Sequence, residues 1–293
     1  MRLKVQGEMC KQMWRQVQMC CQEVRSEEVC AQMCSEMRSK VRSKMCPQVR
    51  AQELTGVSRN WRSPPAKGAA QVASLRLLGI YDGLARRGEH LLGQLLGGEL
   101  PRQWRHYPED DAIDQGSGFQ WFYHSHSPED RPGAAEHGHI HLFARRKLWS
   151  RRLRSAHEIE FASLADDPNR QVSTRHLITI GLDAKGIPIS LFTVNSWVTG
   201  DLMLSASNTA LLLEQMTLAT GNEDVDAVIE CVVRLFQNEI WDLLVRRDAL
   251  LYEKQSPGLL RDESLEVLSE LAINVDEKLA CGGAWQQQDF PLS

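Results

Sequence analysis

The sequence predicts an α+β fold: an antiparallel sheet of two or more hairpins, flanked by N-terminal helices and a helical C-terminal third. Three observations carry this. The clearest hairpin runs Leu177-Ile178-Thr179-Ile180-Gly181-Leu182, turns at Asp183-Ala184-Lys185-Gly186 and returns as Ile187 to Val194, with β-branched residues on both sides of the reversal. An earlier strand pair is expected near 119–126 and 137–144, where an aromatic lead-in (Phe119, Trp121, Phe122, Tyr123) faces an apolar exit (Ile140, Leu142, Phe143). Finally, Ser205–Ala219, Val225–Tyr252 and Ser264–Leu279 repeat apolar residues at i, i+3 and i+4, which predicts helices. Strands in succession, with helices before and after, make an antiparallel sheet covered by helices.

Residues 1–53 stand apart. Met-Cys recurs at 9–10, 19–20, 33–34 and 45–46, and the stretch has no Asp, His, Phe, Tyr or Ile. Such a leader can bury little, so it is expected to be a disordered or wrongly assigned start, with a loose helix or a thiol-rich arm as alternatives. Residues 54–68, with Pro64-Pro65, read as a linker, 69–285 as one α+β domain, and 286–293 as a tail. Within the domain, Val72, Leu75, Leu78, Tyr81 and Leu84, then Leu91, Leu92, Leu95 and Leu96, predict one or two helices broken at Gly88 and ended by Gly97-Gly98. The stretch 99–118 is turn-rich and acidic, and Glu109-Asp110-Asp111 reads as a solvated loop. Pro188 lacks a ladder donor and predicts an edge strand or an outward-facing amide position.

Composition narrows the function classes. The 293 residues carry a formal charge of −4, but residues 1–62 hold twelve Lys/Arg against six Glu, leaving a net of −10 for the remainder. An acidic body argues against binding along a phosphate backbone, so a nucleic acid is not the expected partner of the folded part. No apolar run approaches the roughly 20 residues that span a bilayer, and no secretory pattern opens the chain, so a cytoplasmic protein is expected. Six of the eight cysteines lie in the leader, none in a Cys-x-x-Cys pair. Cys231 and Cys281 are expected to be small apolar residues in a reducing compartment.

Five of the nine histidines fall within eighteen residues, as His124-Ser125-His126 and His137-Gly138-His139-Ile140-His141. Residues two apart on a strand share a face. If His126 pairs with His137 and His124 with His139, directly opposed Cβ atoms stand about 4.5–5.5 Å apart. At least four imidazoles then converge, close enough for metal–nitrogen bonds of about 2.0–2.1 Å. The candidate metal ligands are His124, His126, His139, His141, His137 and Glu136. The carboxylate would serve as a ligand or as an acceptor for an imidazole N–H. With no cysteine nearby, the implied cofactor is a divalent transition metal: Fe, Zn, Mn, Ni or Cu. The opposing reading leaves these histidines as decoration of a half-exposed strand. His176, entering the second hairpin, joins the site if the hairpins are sheet neighbours. Asn195, Trp197 and Asp201 follow a strand and precede a helix, where a wall of a small-molecule pocket would sit; capping by Thr199 or Asp201 is the competing role.

Three resemblances follow from these motifs. Gly118 and then His124-Ser125-His126 look like the opening of a cupin's first motif, with Asp130 at the acidic position, but the second motif has no counterpart. His137-Gly138-His139-Ile140-His141-Leu142-Phe143 resembles the histidine triad of nucleotide hydrolases, which implies attack on phosphorus by His139; Gly138 departs from the apolar spacer of that motif. About residues 70–250 more closely resemble an uncharacterised bacterial family of unknown function. Its pattern of an aromatic strand ending in His-x-His, Glu-His-Gly-His-x-His-Leu-Phe, and a hairpin running into Asn195 … Trp197-Val198-Thr199-Gly200-Asp201 stands almost intact here. That resemblance implies a fold unit without an activity. Three functions stay open: a non-haem metal-dependent enzyme with an open coordination position, a closed metal-binding module, and a metal-free nucleotide hydrolase or transferase.

Overall fold

The computed structural model describes residues 67–125, 136–154, 156–165, 172–256 and 258–284. The predicted leader, most of the predicted linker and the tail lie outside these residues. Helix α1 (Lys67–Arg86) ends at Gly88, whose φ of 68° only glycine adopts cheaply, and α2 (Leu91–Leu95) ends at Gly97 and Gly98. Strands β1 (Tyr107–Ile113), β2 (Phe119–Ser125) and β3 (Gly138–Arg145) follow, then α3 (Arg146–Trp149) and α4 (Ala156–Ala165). The predicted second hairpin is β4 (Thr174–Leu182) and β5 (Pro188–Val194). After α5 (Ser196–Thr199) and β6 (Leu202–Met203) come α6 (Ala206–Glu214), α7 (Glu223–Leu235), α8 (Gln237–Lys254), β7 (Val267–Ala272) and α9 (Val275–Ala284).

Among the described residues seven strands form one sheet in the order β1-β2-β3-β4-β5-β7, with β6 beside β4. Every pairing on the main path is antiparallel; β6 alone runs parallel, matching Arg175 and His176 to Leu202 and Met203. This is possible because β5 covers only the C-terminal half of β4, leaving its first residues a free edge. The two predicted hairpins are therefore neighbours, joined along β3–β4.

One face of the sheet carries Trp121, Tyr123, Ile140, Leu142, Ile178 and Ile180, all buried. Full burial of such a side chain stabilises by roughly 1.5–3 kcal/mol. Helix α7 is fastened there: Trp121 Nε1 donates to Asp226 Oδ1 at 2.8 Å, and Asp226 also accepts from the backbone and hydroxyl of Thr220. A second cluster, Phe161, Met203, Leu251, Leu259 and Leu268, joins α4, β6, α8 and β7. Among the described residues no helix is long and apolar enough to cross a membrane.

The structure corrects four expectations. The acidic stretch 107–113 is strand β1, not a loop. Its register jumps from Tyr107↔Tyr123 to Ala112↔Trp121, and this bulge hid the alternation. Val225–Tyr252 is two helices, parted at Phe236, whose buried ring takes the chain through φ −102°, ψ 24° without glycine or proline. Ser264–Leu279 is not one helix: Val267–Ala272 pairs with β5, so sheet context overrides a helical apolar pattern. Strand β5 consequently lies inside the sheet. Pro188 is tolerated as its first residue, because pairing with β7 begins only at Ser190.

Candidate metal centre

The β2–β3 ladder pairs His124 with His139 and Phe122 with His141. Alternation then sends His124, His139 and His141 to one face, opposite Trp121 and Tyr123. Their Nε2 atoms meet: His124 lies 2.8 Å from His139 and 3.1 Å from His141. Nitrogens about 2.0–2.1 Å from one tetrahedral ion stand roughly 3.3 Å apart, so a small outward rotation of the rings would admit an ion. All three are buried, and they are the His/Cys/Asp/Glu group among the described residues whose ligand atoms lie mutually within 4.8 Å.

The His141 nitrogen turned away from the centre meets polar groups. His141 Nδ1 is 3.1 Å from both His176 Nε2 and Thr179 Oγ1, and those two are 3.1 Å from each other. For His141 Nε2 to bind a metal its proton must sit on Nδ1, and Thr179 and His176 are there to accept it. Burial, reinforced by the charge of Arg247, pushes the pKa of His176 down to about 3, so its ring stays neutral. His176 reaches this face through a bulge. It is three residues from Thr179, which alternation alone would put on the opposite side. The register passes from Leu142↔Ile178 to Phe143↔His176, making Leu177 the extra residue. Behind His139, Glu136 Oε1 stands 3.9 Å from Nδ1, at ion-pair distance. Gly181, the β4 partner of His139, leaves room here: a Cβ on it would lie 3.4 Å from Glu136 Cβ and 2.1 Å from Ser190 Oγ.

Aromatic rings line the rest. Phe192 meets His139 edge-to-face at 5.1 Å, and Phe122 packs 5.2 Å from His141. Two residues that sequence reasoning passed over approach from the segment leading into β1. Trp104 and His106 each lie edge-to-face on His124, with ring centroids 6.1 Å away. Nothing in the sequence marks them, because β1 itself was hidden by its bulge.

The remaining sequence candidates divide. His126 lies outside the described residues. His137 is not in the cluster: β3 begins one residue later, and its Nδ1 is 2.9 Å from Tyr123 Oη on the opposite face. That pairing explains Gly138, because a Cβ there would meet Tyr123 Oη at 2.3 Å and the His124 carbonyl at 2.6 Å. Asn195 takes the capping role expected of Thr199 or Asp201: its Oδ1 accepts from Ser196 N and its Nδ2 donates to the Leu259 carbonyl, both at 2.8 Å. Trp197 Nε1 donates to the Leu265 carbonyl at 3.1 Å, and Asp201 accepts from Thr174 Oγ1. These bonds tie the β5–β6 connection to the chain around it.

Residues 71–273 match the family described as "Domain of unknown function (DUF6969)". The chain belongs to this family. The match spans the whole sheet, leaving outside it the first residues of α1 and all of α9, and every member of the imidazole cluster lies inside it. No curated protein and no solved structure matches the chain. Among the described residues the one seven-stranded sheet departs from the double-sheet jelly roll of a cupin, so the likeness of Gly118 to His126 to that motif does not extend to the described fold.

Proposed function

We propose that DUF6969 in this chain is a non-haem, divalent-metal centre, held by His124, His139 and His141, with a coordination position left for a small-molecule substrate or water. The supporting observation is the convergence of three Nε2 atoms on one buried point, each ring carried by a strand. Three neutral nitrogen donors without a thiolate suit Fe, Zn, Mn, Ni or Cu, and three protein ligands plus a vacant position are the pattern of catalytic rather than structural sites. His176 and Thr179 orient His141, which is how surrounding groups raise ligand basicity, and Glu136 stands 3.9 Å from His139 Nδ1. The nucleotide-hydrolase reading is weaker on the same geometry, since His139 Nε2 is turned to His124 and His141 rather than outward.

Elemental analysis of tag-free protein tests this directly. About one metal equivalent per chain is expected, lost in His124→Ala, His139→Ala and His141→Ala and kept in His90→Ala, whose ring caps α2 by accepting from Gly93 N. In cobalt-substituted protein, azide should shift the visible bands by taking the vacant position. Full occupancy in a His124→Ala/His139→Ala double variant would refute the centre; a spectrum that azide leaves unchanged would mark it as closed.

A further inference from the structure

Among the described residues, three that are not glycine hold a positive φ, and two of them, Trp104 (63°) and Asp111 (54°), bracket one histidine, His106. Such a backbone is strained for a residue with a side chain and persists where the surroundings impose it. Here it aims a ring. His106 stacks on Phe122 at 3.7 Å and 7°, one ring thickness above the sheet face that carries the imidazoles, and stands perpendicular to His124. Its Nδ1 is 2.8 Å from Asp111 Oδ1, while Gln120 Nε2 donates to Asp111 Oδ2 at 2.7 Å. Both carboxylate oxygens thus receive a donor, which makes His106 Nδ1 the N–H and leaves Nε2 an acceptor. Trp104, 59% exposed, offers an indole on the same ligand, His124.

The geometry points to a recognition rim, Trp104 with the His106–Asp111 pair, that takes a planar hydroxylated small molecule such as a phenol or enol. Its ring lies against the indole and its O–H donates to His106 Nε2. The proposal deepens the metal-centre reading and rests on it for what lies beneath the rim. Asp111 is a positioning residue: it acts only by keeping the acceptor nitrogen of His106 outward.

The probe is 2-naphthol, a planar ring with one hydroxyl that stays protonated at neutral pH and does not chelate, titrated into metal-loaded and into chelator-treated full-length protein, with tryptophan fluorescence and titration heat as readouts. Wild type should bind with quenching, and the quenching should be lost in Trp104→Ala. His106→Ala should weaken binding about tenfold, as befits one lost hydrogen bond and its ring contact, with His106→Gln recovering part of it through its amide oxygen. Asp111→Asn, which can donate to Nδ1 and reverse the tautomer, should weaken binding while leaving metal content at the wild-type value. Metal content separates the two claims. If the metal reading fails, wild type binds no metal, yet the chelator-treated titration still shows the dependence on Trp104 and His106. Binding equal to wild type in both alanine variants, or no binding by wild type in either form, would overturn the rim.

Discussion

Replacing Gly138 by alanine is a sharp test of how the site is built. The added Cβ would fall 2.3 Å from Tyr123 Oη, 2.6 Å from Tyr123 Cζ and 2.6 Å from the His124 carbonyl oxygen, each about 1 Å inside ordinary contact. Tyr123 cannot swing away, because its ring is fully buried and its hydroxyl is engaged by His137. The carbonyl belongs to β2, which pairs with Gly138 through Ser125, so relief requires the two strands to move. Overpacking of this kind costs about 1–3 kcal/mol. Alanine elsewhere in a strand would gain roughly 0.5–1 kcal/mol over glycine, so the clash wins. Urea unfolding of the metal-free protein should show that loss at unchanged m-value. Tyr123→Phe in the same chain should return only part of it, since the contact with the backbone oxygen remains. The metal readout should move too. His124 and His139 are the next paired residues, and a centre that tolerates about 0.5 Å of displacement should lose about tenfold or more in affinity. A Gly138→Ala protein as stable as wild type, with undiminished metal binding, would refute the account of this motif.

Three further outcomes follow from the same geometry. Because burial holds the His176 pKa at about 3, below its unfolded value of about 6.5, the unfolded chain binds the extra proton between these limits; metal-free wild type should lose stability as pH falls from 6.5 towards 3, and His176→Gln should flatten that part of the curve. Metal at a hundred times its dissociation constant should stabilise the fold by about 2.7 kcal/mol, a rise in Tm of roughly 5–11 °C by calorimetry that His141→Ala abolishes. Trp121→Phe should cost about 1 kcal/mol in chemical unfolding for the lost hydrogen bond, because Asp226 Oδ1 then keeps only the Thr220 hydroxyl as donor, while metal content stays unchanged on the other face of the sheet.

Much of the fold was legible from residue patterns. Glycines at left-handed positions ended α1 and α2 where expected, the Asp183–Gly186 turn made the second hairpin, and i, i+2 spacing put His124, His139 and His141 on one face with His124 opposite His139. These are local rules of backbone period and turn chemistry, and one chain segment suffices to apply them. What escaped depends on partners far along the chain. Val267–Ala272 became a strand because β5 offered it an edge, and the acidic β1 was concealed by a bulge. His137, in step with its neighbours by spacing, turns to Tyr123 because β3 starts after it. His176, out of step by spacing, joins the cluster because Leu177 is extruded from the ladder. Periodicity alone determined that a histidine face would exist. Which rings stand on it was decided by where each strand begins and bulges, and that is set by long-range hydrogen bonding that no local pattern records.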